Sequence, residues 1–176
     1  MRDPFSQAEL SAPVIRVIGL GSPFGEDRAG WLVADRLQGR LTDEVEVVAL
    51  DRPGAAVVNW MRDCEHLVLI DAVLAPERRG EFARLAPDDL VHPAPVSGHG
   101  IDLAQSLALA YTLGKAPETV EIYGLYISDL ENISQAISRA AERLADHLET
   151  HLRKTESASA AGNRRPAGDP GSLSRR

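Results

Sequence analysis

Short β-branched runs alternate along this chain with segments of helical periodicity, and the alternation restricts the possible folds more than any other property of the sequence. Alternating or unbroken apolar runs predict strands, whereas apolar residues at steps of three and four predict helices. The predicted strands are residues 14–18, 45–50, 67–70, 80–85 and 120–126. The predicted helices are residues 27–37, 55–61, 101–113 and 133–152. This order of elements predicts a three-layer α/β/α sandwich with a twisted, mostly parallel sheet of about five strands.

Two of the predicted strands have patterns that locate them within the sheet. Residues 67–70 are four consecutive large aliphatic residues, which favours a central strand covered on both faces. Residues 80–85 alternate polar and apolar side chains, as an edge strand with one exposed face does, and such a strand is able to run antiparallel. Ligands of these sheets bind beyond the carboxyl ends of the strands. Polar residues that follow the predicted strands are therefore the candidate functional residues.

The length and composition predict one domain without a nucleic acid or membrane partner. The chain has 176 residues, 44% of them hydrophobic, which is enough for one domain with its own core. Residues 1–13 are predicted to be a loose leader, residues 14–154 a single α/β domain, and residues 155–176 a disordered tail. A net charge of −7 argues against nucleic acid or an anionic membrane as a partner. Cys64 is the single cysteine and no signal-peptide-like segment is evident, so a cytoplasmic protein is predicted.

Three acidic residues and one histidine lie where predicted strands end or loops begin. Glu26 and Asp27 follow the first predicted strand, Asp71 follows residues 67–70, and His99 lies between two glycines. Each has an ordinary explanation, since acids at a helix start gain about 0.3 to 1 kcal/mol from the helix dipole and loop histidines are usually solvated. Because carboxylate and imidazole groups at the strand ends of one sheet lie close together, the four residues together indicate a metal site.

The loop after the first predicted strand also allows a nucleotide-binding enzyme. Gly19, Gly21 and Gly25 stand where a dinucleotide fold has its phosphate loop, and Asp51 would then contact a ribose. The spacing lacks the Gly-x-Gly-x-x-Gly form, and Pro23 removes a backbone N–H that a phosphate would use. The two acids that follow would also repel a pyrophosphate. The nucleotide hypothesis stays open as the alternative.

Four segments in series resemble the hydrogenase maturation proteases, the endopeptidases that trim the large subunit of nickel-iron hydrogenases. They are Ile-Gly-Leu-Gly-Ser-Pro-Phe-Gly-Glu-Asp-Arg-Ala-Gly at 18–30, Asp-Arg-Pro-Gly at 51–54, Leu-Ile-Asp-Ala at 69–72 and Ser-Gly-His-Gly-Ile-Asp-Leu at 97–103. The resemblance covers about residues 14–152, and its specificity comes from the order and spacing of the segments. The fold of that family, a twisted sheet between helices, agrees with the predicted elements.

The resemblance implies an activity and a set of site residues. It implies an endopeptidase that removes the C-terminal extension of a hydrogenase large-subunit precursor after nickel insertion. Asp27, Asp71 and His99 match the metal ligands of the family, and the nickel is expected to arrive with the precursor. Two carboxylates and an imidazole suit nickel or zinc and leave coordination positions open. The expected state is a monomer, and a noncatalytic nickel-binding maturation chaperone is a second alternative.

The sequence departs from the family pattern at three places. The loop between Gly21 and Gly30 is one residue shorter than the commonest form, so Glu26 competes with Asp27 as the ligand, and Asp27 is preferred. Asp-Arg-Pro-Gly at 51–54 replaces the usual Asp-Gly-Gly-Thr, and residues 126–131 lack the common Pro-Glu pair. The second and third departures lie in loops expected to shape the substrate cleft, so they bear on the identity of the partner more than on the reaction class.

Overall fold

The computed structural model describes residues 15–51, 57–86, 89, 100–128 and 132–162, without the side chains of 100–102 and 158–162. The strands within these ranges are β1 Ile15–Gly21, β2 Val45–Asp51, β3 His66–Leu74, β4 Phe82–Leu85 and β5 Thr119–Ile127. The α-helices are α1 Ala29–Leu37, α2 Val57–Met61, α3 Gly100–Thr112 and α4 Gln135–Gly162. The short 3₁₀ helices Gly25–Arg28 and Pro76–Arg78 follow β1 and β3 respectively.

The strands form one sheet in the order β2-β1-β3-β5-β4. Strand β1 runs parallel to β2 and β3, and β3 runs parallel to β5. Strand β4 pairs antiparallel with β5 at the edge, as its alternating pattern allows. After β1 the chain passes to β2 on one side and then crosses to β3 on the other side. The boundary between β1 and β3 is therefore the topological switch point of the sheet, where ligands of such folds usually bind.

Helices cover both faces of the sheet, which confirms the predicted three-layer architecture. Helices α1 and α4 share one core cluster with the sheet, and α2 and α3 share the other. The predicted central strand shows why this arrangement suits the sequence, because its successive side chains point to opposite faces. Val68 and Ile70 belong to the α1–α4 core, Leu67 and Leu69 belong to the α2–α3 core, and all four are fully buried. An unbroken aliphatic run fits such a doubly covered strand.

Helix α4 has the predicted apolar face, but both of its ends differ from those of the predicted helix 133–152. The fully buried residues of its described side chains lie at helical spacing, namely Ile137, Ala140, Ala141, Leu144, Ala145, Leu148 and Leu152. Ile133, predicted as the first residue of that face, precedes the helix and is 37% exposed. The helix also continues through Gly162, so the first part of the predicted disordered tail is helical. Residues 155–161 contain neither glycine nor proline, and the helix therefore reaches the first glycine.

Parts of the predicted domain division lie outside the described residues. They are the leader, residues 1–13, and the rest of the predicted tail, residues 163–176. The division into one domain with a leader and a tail stays a prediction, apart from the helical residues 155–162. No helix in the described part of the chain is long and apolar enough to cross a membrane.

Candidate functional site

The switch point opens a crevice at the carboxyl edge of the sheet. The pairing of β1 with β3 ends at Gly19 and Ile70, after which β1 stays with β2 while β3 stays with β5. Asp71 is the first residue of β3 beyond this separation. It was predicted to close the strand, but β3 continues to Leu74 because β5 goes on pairing with it. The position of Asp71 beside the opening between β1 and β3 is what makes it a candidate ligand.

Asp27 reaches the same crevice from the other side. It lies in the 3₁₀ helix Gly25–Arg28, which follows β1, and it is only 6% exposed. Its negative charge helps to raise the pKa of Asp71, so the two carboxyl groups are close enough to repel each other. The structure thus brings two of the three predicted ligands together.

The surroundings of Asp71 are unfavourable for a carboxylate. Asp71 is 2% exposed, and its Oδ1 accepts a hydrogen bond of 2.8 Å from the backbone N–H of Ala72. Its Oδ2 is buried and accepts no hydrogen bond from the described part of the chain. Burial raises the pKa of Asp71 to about 7, the Ala72 N–H offsets part of that rise, and the charge of Asp27 adds to it. A buried, mutually repelling pair of carboxylates is stabilised by a cation between them, so the donor set fits a metal ion.

Glu26 has a different role from its neighbour Asp27. It is fully buried, and its Oε1 accepts a hydrogen bond of 2.5 Å from Nη2 of Arg79. Its Oε2 accepts hydrogen bonds from the backbone N–H of Ser128 at 2.9 Å and from the Ser128 hydroxyl at 3.3 Å. Both oxygens of Glu26 are therefore engaged by other loops, which favours Asp27 as the ligand. The assignment of Asp27 as a ligand stays a prediction.

The glycines of the first loop allow close contact between backbones. A Cβ atom on Gly30 would lie 2.2 Å from the carbonyl oxygen of Leu20, and one on Gly19 would lie 2.3 Å from the carbonyl oxygen of Gly30. A Cβ atom on Gly21 would lie 2.4 Å from the carbonyl oxygen of Asp27. The backbones of the start of α1 and of the 3₁₀ helix therefore pack directly against the backbone of β1. This packing accounts for Gly19 and Gly21 without a bound phosphate, which removes the main support for the nucleotide hypothesis.

The third predicted ligand, His99, lies outside the described residues, directly before the first residue of α3. Among the described residues, no group of three or more histidine, cysteine, aspartate or glutamate side chains converges on a metal position. The two aspartates are thus the part of the predicted ligand set that the structure describes.

Residues that sequence reasoning missed lie both in the crevice and at the opposite edge of the sheet. Arg79 and Ser128 contact Glu26 from distant parts of the chain, and no local pattern marks them. At the amino edge, Oε1 of buried Glu121 lies 3.0 Å from Nε2 of His151 and 3.1 Å from Nε2 of His66. Burial alone would raise the pKa of Glu121, but its hydrogen bonds, above all from His151, hold that pKa below its usual value. This second cluster lies far from the crevice and joins α4 to the sheet.

The fold and the crevice define a class, the three-layer α/β proteins with an acidic site at the switch point of the sheet. The model of one family, described as hydrogenase maturation protease, matches residues 32–153, a segment that contains Asp71 and begins after Asp27. The chain belongs to the hydrogenase maturation protease family. Membership confirms the family and the enzyme class predicted from the sequence, a maturation endopeptidase. No curated protein sequence matches the chain significantly.

Solved structures of the same kind have the same fold. The hydrogenase maturating endopeptidase HybD from E. coli is 22% identical, with a TM-score of 0.71. An endopeptidase from Escherichia coli is 23% identical, with a TM-score of 0.69. The [NiFe] hydrogenase maturation protease HycI from Thermococcus kodakarensis is 24% identical, with a TM-score of 0.60. Each alignment covers 80% of this chain and 93% of the other chain.

Proposed function

We propose that this endopeptidase removes the C-terminal extension of a nickel-iron hydrogenase large-subunit precursor after nickel has been inserted. The observation that carries the proposal is the buried pair Asp27 and Asp71 at the switch point. Two buried carboxylates that repel each other cost stability unless a cation or a proton compensates them. A metal-loaded precursor would bring that cation, and family membership supplies the reaction class.

The proposed ligands of the precursor's nickel are Asp27, Asp71 and His99. Carboxylate oxygens and an imidazole nitrogen are suitable ligands for nickel, and three protein ligands leave positions for groups of the precursor. The ion would supply Lewis acidity and a fixed point of attachment for the precursor. The chain itself contributes a rigid crevice, because the glycine contacts hold the 3₁₀ helix against β1 and the Glu26 contacts hold it to two further loops. Rigid support of this kind favours binding of one substrate geometry.

The decisive experiment incubates the purified protein with nickel-loaded precursor and measures the mass of the large subunit. Shortening of the subunit by a C-terminal peptide is expected with nickel-loaded precursor and not with nickel-free precursor. A complex that forms without any shortening would indicate a nickel-binding chaperone instead. Stabilisation by NAD or ATP in a thermal melt, with none by nickel, would favour the nucleotide-binding enzyme.

A variant of His99, which directly precedes α3 in the sequence, tests the ligand assignment. His99→Ala is expected to abolish processing while the protein stays folded, because the flanking glycines predict a loop position, where a side chain contributes little to a core. His147→Ala is the matched control, since His147 is an exposed residue on α4. Processing by His99→Ala at the rate of the control would contradict the assignment.

The sequence further predicts a cytoplasmic monomer, and light scattering of the purified protein tests the monomer.

A further inference from the structure

We propose that Arg79 is a positioning residue, which acts through Glu26 to hold Asp27 in the crevice. The inference rests on the proposed function, because it assigns Arg79 to the support of a metal ligand. Arg79 lies in the turn after the 3₁₀ helix Pro76–Arg78, more than fifty residues from Glu26 in the chain. Its guanidinium nonetheless donates directly to the carboxylate that precedes Asp27 in the sequence.

The contacts of Glu26 join three separate loops. The Glu26 carboxylate is buried in the loop after β1, Arg79 comes from the loop after β3, and Ser128 is the first residue after β5. Removal of the charged partner of a buried carboxylate is strongly unfavourable. The position of Glu26 is therefore coupled to that of Arg79. The charge-assisted hydrogen bond between them fixes direction as well as distance.

Asp27 depends on this anchor because the element that carries it is short. The 3₁₀ helix Gly25–Arg28 has four residues and no side-chain hydrogen bond at its N-terminal cap. Such a short helix contributes few hydrogen bonds of its own, so its orientation depends on outside contacts. On one side, the carbonyl of Asp27 lies against Gly21 at a distance that no Cβ would allow. On the other side, Glu26 holds the helix to the loops after β3 and β5.

Arg79 is itself held in place by its neighbours in the turn. The Arg78 guanidinium lies 3.7 Å from the centroid of the Tyr126 ring. The N–H of Gly80 donates to the carbonyl of Tyr126 at 2.9 Å, and Arg143 donates to the carbonyl of Gly80 at 2.7 Å. The turn is thus attached to both β5 and α4. Because this turn is fixed to β5 and α4, the Arg79 guanidinium has a fixed position and holds the loop after β1 in place through Glu26.

The test compares Arg79→Met and Arg79→Lys with the wild type. Arg79→Met is expected to lower the affinity for Ni²⁺ and the kcat/KM of precursor processing by roughly 10–100-fold, the range found when an outer partner of a metal ligand is lost. Arg79→Lys keeps the charge and is expected to recover part of the loss. Arg153→Met is the matched control, because Arg153 forms an exposed pair with Glu149 on α4. Its affinity and rate are expected to equal those of the wild type.

A purely structural contact would lower stability without changing the affinity of the folded protein. Calorimetric titration with Ni²⁺ alone, on protein shown to be folded by circular dichroism, therefore separates the two roles. Where Arg79→Met fails to fold, the double variant Glu26→Gln/Arg79→Met removes the buried charge and takes its place in the comparison. Wild-type affinity and rate in the folded variant would overturn the positioning role and leave the proposed function intact. A wild type that neither binds Ni²⁺ nor cuts the precursor would overturn both.

Discussion

The substitution Asp71→Asn is expected to stabilise the metal-free protein at neutral and alkaline pH while it removes a proposed metal ligand. Asn has nearly the size of Asp and keeps an oxygen for the N–H of Ala72, which Oδ1 of Asp71 accepts at 2.8 Å. It cannot ionise, so it avoids both the burial of a charge and the repulsion from Asp27. Oδ2 of Asp71 accepts no hydrogen bond from the described residues, and in Asn an uncharged NH2 group of similar size would take its place.

The magnitude follows from the pKa of Asp71, which burial foremost raises from 3.8 to about 7. That difference corresponds to about 4 kcal/mol at most in favour of the protonated folded form. The folded protein holds the proton more tightly than the unfolded chain does, so the free energy of unfolding falls as the pH rises from 3.8 to about 7. Above that range the stabilisation by the protonated Asp71 is completely lost. The free energy of unfolding of Asp71→Asn does not fall in this way. The variant is therefore only slightly more stable than the wild type at acid pH, and about 2 to 4 kcal/mol more stable at alkaline pH.

Urea unfolding in the presence of a chelator measures this difference at about pH 4.5 and about pH 8. Asp35→Asn is the control, because Asp35 is an exposed residue of α1 and its replacement should change stability by less than about 0.5 kcal/mol. Addition of Ni²⁺ should then stabilise the wild type and leave Asp71→Asn unchanged. The reasoning is refuted when Asp71→Asn is no more stable than the wild type at the higher pH, or when the difference does not grow with pH.

Two further substitutions test the packing that supports the crevice and the opposite cluster. Gly30→Ala should lower the free energy of unfolding by about 3 kcal/mol or more, because its Cβ would lie 2.2 and 2.6 Å from two backbone oxygens. Gly39→Ala meets no atom and should lose only the about 1 to 2 kcal/mol of a left-handed residue, so equal losses in urea unfolding would contradict the packing argument. Tyr123→Phe removes the hydroxyl that donates to buried Glu121 at 3.0 Å and should cost about 1 to 3 kcal/mol. Tyr111→Phe, at a residue 61% exposed, should change the melting temperature little, and a similar small change for Tyr123→Phe would mean that the buried contact contributes nothing.

The layers of the fold were predictable because the patterns that encode them are local. An aliphatic run such as residues 67–70 is stable only where both faces are covered, and an alternating run such as residues 80–85 suits an edge. Residues 155–162 of α4 were missed because the prediction averaged composition over residues 155–176, whereas this stretch contains no glycine or proline before Gly162. The extent of β3 beyond Asp71 was also missed, since it depends on pairing with β5, which no local pattern contains.

The crevice was predictable only in part, and for a similar reason. Asp27 and Asp71 were predicted as site residues because each follows a strand predicted from the sequence, and parallel strands end at a common edge. The contact of Arg79 with Glu26 joins residues more than fifty positions apart, and an arginine in a polar turn has no distinctive sequence signal. His99 lies outside the described residues, so its contribution stays a prediction.

The switch point and the glycine contacts together explain why this crevice would suit the proposed encounter with a metal carried by a substrate. The backbone around Gly30 lies too close to its neighbours to move easily, so the crevice exists before any ion arrives. The buried Asp71 then lowers the stability of the metal-free protein, because the fold holds a carboxylate whose pKa is raised to about 7. A cation that binds between Asp27 and Asp71 would recover that cost as binding free energy, and it would displace the proton of Asp71 as it binds. Under the proposed function, this buried pair of carboxylates would therefore favour a metal-loaded precursor over the same precursor without its metal.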